Sequence, residues 1–154
     1  MPSLTPSLEN ALARALTAAG ERDHEYATLE HLLLALTDDE DATEVLKACK
    51  VDLPQLKTSL ETYIDEDLSS LIVENPSGRV QPTAAFQRVV QRAVLHVESS
   101  GRDVVSGANI LISIFSERES HATYFLQEQD MTRYDAVNYV SHGVSKTPGQ
   151  NQPA

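Results

Sequence analysis

His24 with Glu25, and Glu30 with His31, are the residues whose types could do chemistry at close range. Imidazole and carboxylate groups suit zinc, so a small metal-dependent hydrolase would use His24, Glu25 and His31. In a His-Glu-x-x-His helix the two imidazoles stand four residues apart and face one way. Here they are seven apart, with Thr28 reading as a helix cap between them. That spacing favours a partly buried His31 on the second helix; by analogy, His96 is expected on the fifth helix beside the core. Cys49 is the only cysteine, which excludes a disulfide within the chain and fits a reducing compartment. It lies beside apolar Val51, where a cysteine behaves as a small hydrophobe rather than a nucleophile. Neither Gly-x-Ser-x-Gly nor the phosphate-cradling Gly-x-x-x-x-Gly-Lys-Ser/Thr occurs. The reading is a domain without catalytic residues, metal or cofactor of its own.

The elements that hold these residues come from a chain of 154 residues, 41% of them hydrophobic, enough to bury a core. Against 12 Lys and Arg stand 23 Asp and Glu, a net charge of -11, which repels phosphate backbones and argues against a nucleic-acid partner. The acidity is uneven. Residues 1–80 hold 16 acids and 6 bases (-10), residues 81–154 hold 7 and 6 (-1). The longest apolar run, Leu32 to Leu36, is far too short for a membrane span, and the start lacks a basic-then-apolar leader, so a cytoplasmic location is expected.

Helical spacing dominates. Thr5 and Pro6 open a first helix with Leu8, Leu12, Ala15, Leu16 and Ala19 on one face, and Gly20 is the expected stop. Thr28 opens a second, through Leu36. The run Asp38-Asp39-Glu40-Asp41 reads as a solvated acidic face before a third helix with Val45 and Leu46. Asp52 caps a fourth, carrying Leu56, Leu60 and Ile64. Residues 67–82 read as a connector with a turn at Asn75-Pro76-Ser77-Gly78. From 83, four further helices follow, with Phe86 to Val97, Ser106 to Phe115, Tyr124 to Leu126, and Thr132 to Val140. Residues 143–154 read as a flexible tail or linker.

The two halves match. A shift of 78 puts Thr5 on Thr83, Leu12 on Val90, Arg14 on Arg92, Thr28 on Ser106 and Leu33 on Leu111; a shift of 80 puts Asp52 on Thr132. Repeat one (about 4–66) and repeat two (83–142) are each too small to bury their own apolar face, so stacking them is expected to give one core. The expected fold is all-α: eight helices in two four-helix repeats with pseudo-twofold symmetry.

Phe86-Gln87-Arg88-Val89-Val90-Gln91-Arg92-Ala93-Val94-Leu95-His96-Val97, then Ser99-Ser100-Gly101-Arg102, resembles the second Clp repeat of ClpA-type amino-terminal domains. So does Gly107-Ala108-Asn109-Ile110-Leu111 with Ile114-Phe115-Ser116-Glu117, and Thr28 to Leu36 resembles the first repeat. The likeness runs from about Leu8 to Gly143. It implies the docking domain of a bacterial AAA+ unfoldase that feeds the ClpP protease, with ATP and magnesium confined to ATPase modules outside these residues. The implied partners are the adaptor ClpS, which delivers N-degron substrates, other protein substrates, and ClpP only through the full-length unfoldase. The isolated domain is expected to be a monomer. The resemblance assigns ClpS docking to Glu25 and Glu30, with Thr83, Arg88 and Arg92 beside them. ClpC- and ClpB-type domains, which engage other adaptors or unfolded chains, share the repeat pattern.

Overall fold

The computed structural model describes residues 2–72 and 79–144. Eight helices lie among them: α1 (Pro6–Glu21), α2 (Leu29–Leu36), α3 (Glu40–Ala48), α4 (Leu53–Glu66), α5 (Ala84–Ser99), α6 (Gly107–Ile114), α7 (His121–Glu128) and α8 (Arg133–His142). Most begin at a side-chain cap that is visible in the sequence. The hydroxyls of Thr5, Thr83 and Thr132 and the carboxylate of Asp52 each accept an amide N–H three residues on. α2 and α6 form the centre, with Leu32, Leu33, Leu36, Ile110, Leu111 and Ile114 sealed from solvent. The buried face of α1 is Leu8 with Ala11, Ala15 and Ala19, small side chains that let α1 lie close on α2.

Four two-residue strands, absent from the helical reading, show how the halves join. β1 (Ser3–Leu4) pairs in parallel with β4 (Val104–Val105), and β2 (Tyr26–Ala27) with β3 (Gln81–Pro82). The 78-residue shift carries β1 onto β3 and β2 onto β4, so each repeat's leading strand pairs with the other repeat's loop strand. Helices are shared the same way. α3 packs on α6 and α8, and α7 packs on α2 and α4. Such short strands have no alternating pattern to betray them, because tertiary closure rather than β propensity forms them.

The first helix does not stop at Gly20. It runs to Glu21, and the left-handed residue that ends it is Asp23 (φ 57°), with the His24 amide donating to the Ala19 carbonyl at 2.9 Å. The shifted position is Gly101 (φ 77°), a residue type better suited to that backbone. Residues 69–71 form a 3-10 turn, and His24 bridges Ile72; the Asn75-Pro76-Ser77-Gly78 turn and residues 145–154 of the tail lie outside the described residues.

Candidate docking surface

The segment between α1 and β2 is held from three sides. Arg22 donates to Asp65 of α4 at 2.6 Å, the Glu25 amide donates to the Leu71 carbonyl at 2.8 Å, and the Gln81 amide donates to the Glu25 carbonyl at 3.2 Å. The Glu25 side chain itself is exposed. Thr83 follows β3, and its amide donates to the Ala27 carbonyl at 3.0 Å. The β2–β3 pair thus brings Glu25 and Thr83 to one junction. Thr83 is half-buried and caps α5 through Phe86 at 3.2 Å, so its hydroxyl is committed to the helix.

Beneath this junction lie the two histidines, nearly or wholly sealed from solvent. The Thr28 amide donates to His31 Nδ1 at 2.9 Å, which makes Nδ1 an acceptor and puts the proton of the neutral ring on Nε2. That Nε2–H then faces His24 Nδ1 at 3.1 Å. Each ring is spent on a neighbour, and this geometry does not suit the His24–Glu25–His31 metal centre weighed as an alternative. Among the described residues, no group of three or more His, Cys, Asp or Glu is placed to hold a metal ion. Cys49 is buried, at the end of α3.

Burial, then His24 and then Arg22, push the His31 pKa down to about 4; burial and Arg22 lower that of His24. The unfolded chain takes a proton on His31 near pH 6.5 and the folded chain does not, so the fold gains its full contribution above 6.5 and loses it as pH falls toward 4. At about 1.4 kcal/mol per pKa unit, the loss approaches about 3 kcal/mol. The second repeat supplies the control. At the shifted position Asn109 Oδ1 accepts the Ser106 amide at 2.8 Å, with no ring to titrate. His31→Asn is expected to cost about 1–3 kcal/mol at pH 7, for the lost bond to His24, yet to reduce the fall of urea-measured stability between pH 6.5 and 4.5, leaving the part due to His24.

Glu30 is not on the surface. It is 6% exposed, and its Oε2 accepts the Ser120 hydroxyl at 2.8 Å and the Ala122 amide at 2.9 Å, at the start of α7. The carboxylate serves the first turn of α2 and the N-terminus of α7 at once, where negative charge is favoured. This corrects the expectation of an exposed Glu25–Glu30 pair. Among the described residues, Arg88 and Arg92 form no ion pair with a carboxylate of the first repeat either. Both pair with Glu117 beyond α6, at 2.7 and 3.1 Å, and their hydrogen bonds hold the Glu117 carboxyl below its usual pKa. Arg92 also donates to the Ser113 carbonyl at 3.4 Å, as Arg14 does to the equivalent Ala35 carbonyl at 2.9 Å. That shared structural bond explains the matching arginines.

Asp39 departs from its reading as part of a solvated face. It is wholly buried, caps α3 through the Ala42 amide at 2.9 Å, and accepts the Ser7 hydroxyl at 2.8 Å. Only its neighbours stay outside, Asp38 pairing with Lys57 at 2.9 Å. Asp39 and Ser120 carried no sequence signal beyond cap-forming residue types, and Glu117 none beyond its place in the repeat motif, because their partners come from other helices.

Two interlocked four-helix repeats, with Glu25 exposed where β2 and β3 join them, define an all-α double-repeat domain. The family model for the "Clp repeat (R) N-terminal domain" matches residues 3–129. The chain belongs to that family. It is 59% identical over 155 aligned residues to a "ClpA homolog protein" of Fuscovulum blasticum, covering 99% of this chain and 20% of that protein; it thus spans about a fifth of the relative's length. The Hsp104 N-terminal domain from Candida albicans superposes with a TM-score of 0.77 at 12% identity, covering 93% of this chain and 94% of the other. A ClpV N-domain in complex with a VipB peptide gives 0.68 at 18%, covering 90% and 85%. At these identities the two structures show the shared fold alone.

Proposed function

We propose that this domain docks the adaptor ClpS, and with it N-degron substrates, onto a ClpA-type AAA+ unfoldase that passes them to ClpP. The supporting observation is Glu25: an exposed carboxylate on a backbone fixed by three elements, beside Thr83 at the junction of the repeats. A basic adaptor side chain gains a charge-assisted hydrogen bond there, and the Glu25 backbone is already ordered before it arrives. The likeness to a ClpA homolog along nearly the whole chain supports the choice of unfoldase. With Glu30 buried and Arg88 and Arg92 bound to Glu117, Glu25 carries the charge recognition, and the other three position the surface. On this reading ATP and magnesium act in other modules, in a bacterial cytoplasm, and the domain alone is a monomer.

Calorimetric titration with purified ClpS tests the proposal. Saturable one-to-one binding is expected, weakened at least about tenfold, or 1.4 kcal/mol, by Glu25→Lys. The melting temperature should stay put, since exposed substitutions usually change stability by only about 0.5 kcal/mol. Undiminished affinity of the variant removes Glu25 from the interface. Absence of ClpS binding, with an unfolded polypeptide bound instead, favours a ClpB- or ClpC-type role.

A further inference from the structure

Where α4 meets α7, four rings gather at the surface. Tyr63 stacks on His121 with centroids 4.5 Å apart and planes at 26°, and Phe125 stands edge-on to Tyr63 at 5.8 Å. Tyr124 meets Phe125 at 5.5 Å and His121 at 6.4 Å. Tyr63 and Phe125 are partly buried and anchor the group; His121 is exposed and Tyr124 is 52% exposed. Tyr124 spends its hydroxyl on Glu128, one turn along the same helix, at 3.1 Å, while its ring lies half in water.

The surroundings are negative. Residues 59–69 contain four acids, of which Asp65 is paired with Arg22, and no Lys or Arg; residues 118–130 contain three acids and one base, Arg118. Burial first, then the carboxylates of Glu30 and Asp67, raise the Tyr63 hydroxyl pKa. A π face attracts cations, a guanidinium stacks flat where an ammonium cannot, and nearby carboxylates add Coulomb attraction. Aromatic groups at the surface are also the residues interfaces favour as anchors. An anionic partner would meet repulsion here, and a purely aliphatic one would leave the carboxylates desolvated.

We infer that the Tyr63–His121–Tyr124–Phe125 cluster is a second docking point, which takes an arginine side chain from a partner protein against the exposed Tyr124 and His121 rings, beside the Glu128 carboxylate. It deepens the docking reading, on which it rests for the existence of a partner chain, but does not depend on Glu25.

Side-chain NMR of the whole domain tests it, with end-blocked Gly-Ser peptides carrying one central Arg, Lys, Leu or Glu. The Arg peptide is expected to shift the Tyr124 and His121 ring signals saturably, at least about threefold more tightly than Lys and tenfold more tightly than Leu or Glu. Tyr124→Leu keeps apolar area without the π face, and should weaken the Arg peptide several-fold with an unchanged melting temperature. Equal response to Leu or Glu, unmoved ring signals, or full binding by Tyr124→Leu overturns the inference. Any of these alongside intact ClpS binding at Glu25 sinks only this second point, whereas lost ClpS binding with a selective Arg response sinks only the first.

Discussion

Gly107→Ala is expected to lower the unfolding free energy by about 3–5 kcal/mol, the opposite of what helix propensity alone would give. Gly107 is the first residue of α6, and in a helix interior alanine is favoured over glycine by about 1 kcal/mol. In the folded chain, however, a Cβ at this position would lie within the carboxylate of Asp39. Asp39 cannot yield cheaply. It is fully buried and holds the Ala42 amide and the Ser7 hydroxyl, so moving it undoes the cap of α3 and its tie to α1. The added methyl therefore separates α1 and α3 of one repeat from α6 of the other. Urea unfolding measures the cost, and pairing with Asp39→Ser, a shorter cap, should recover at least about 1 kcal/mol of it through coupling of neighbouring sites. Wild-type stability for Gly107→Ala would mean that Asp39 does not occupy this position.

The second large effect is at Glu30. Glu30→Lys is expected to cost about 3–5 kcal/mol, and to lower the melting temperature by about 10 °C or more in a domain of this size. The substitution removes the acceptor for the Ser120 hydroxyl and the Ala122 amide, and it places an ammonium group among two helix N-termini whose partial charges are already positive. Glu30→Gln keeps an oxygen of the same reach and loses only charge assistance, so about 1 kcal/mol is expected. Thermal melts of the three proteins give the comparison. A Glu30→Lys protein that melts like wild type would place the carboxylate in solvent and restore it as a docking group. The contrast with Glu25→Lys, where binding changes and stability does not, separates residues that touch a partner from residues that hold the surface in place.

Much of this architecture is written locally in the chain. Thr5, Thr28, Asp52, Thr83, Ser106 and Thr132 all prove to be the N-caps that their side chains suggested, because capping involves residues only two or three apart. The 78-residue shift carries through to the strands and to the arginine–carbonyl bonds of Arg14 and Arg92. Glu30, by contrast, is a charged residue in the first turn of a helix, a pattern that ordinarily means solvent. What buries it is α7, ninety residues along the chain. The same holds for Asp39, sealed by Ser7 and by the absence of a side chain at Gly107. Equivalent positions also diverge. The acid matching Asp39 under the shift is Glu117, which is longer and turns to Arg88 and Arg92 instead. His31 did carry a readable signal: it stands three residues after its cap, as Asn109 does in the other repeat, in the arrangement where a side chain reaches back to the cap amide.

Each repeat lends the other a strand and a helix, so the two are expected to fold as one unit. Native-state hydrogen exchange in rising urea reads this most directly. The Thr5 amide, bonded to Val105, and the Thr83 amide, bonded to Ala27, cross between the repeats, while Leu32 and Ile110 report the centre of each. All four are expected to converge on a single opening free energy equal to that of global unfolding. Two separate plateaus, with one repeat exchanging while the other stays protected, would contradict it.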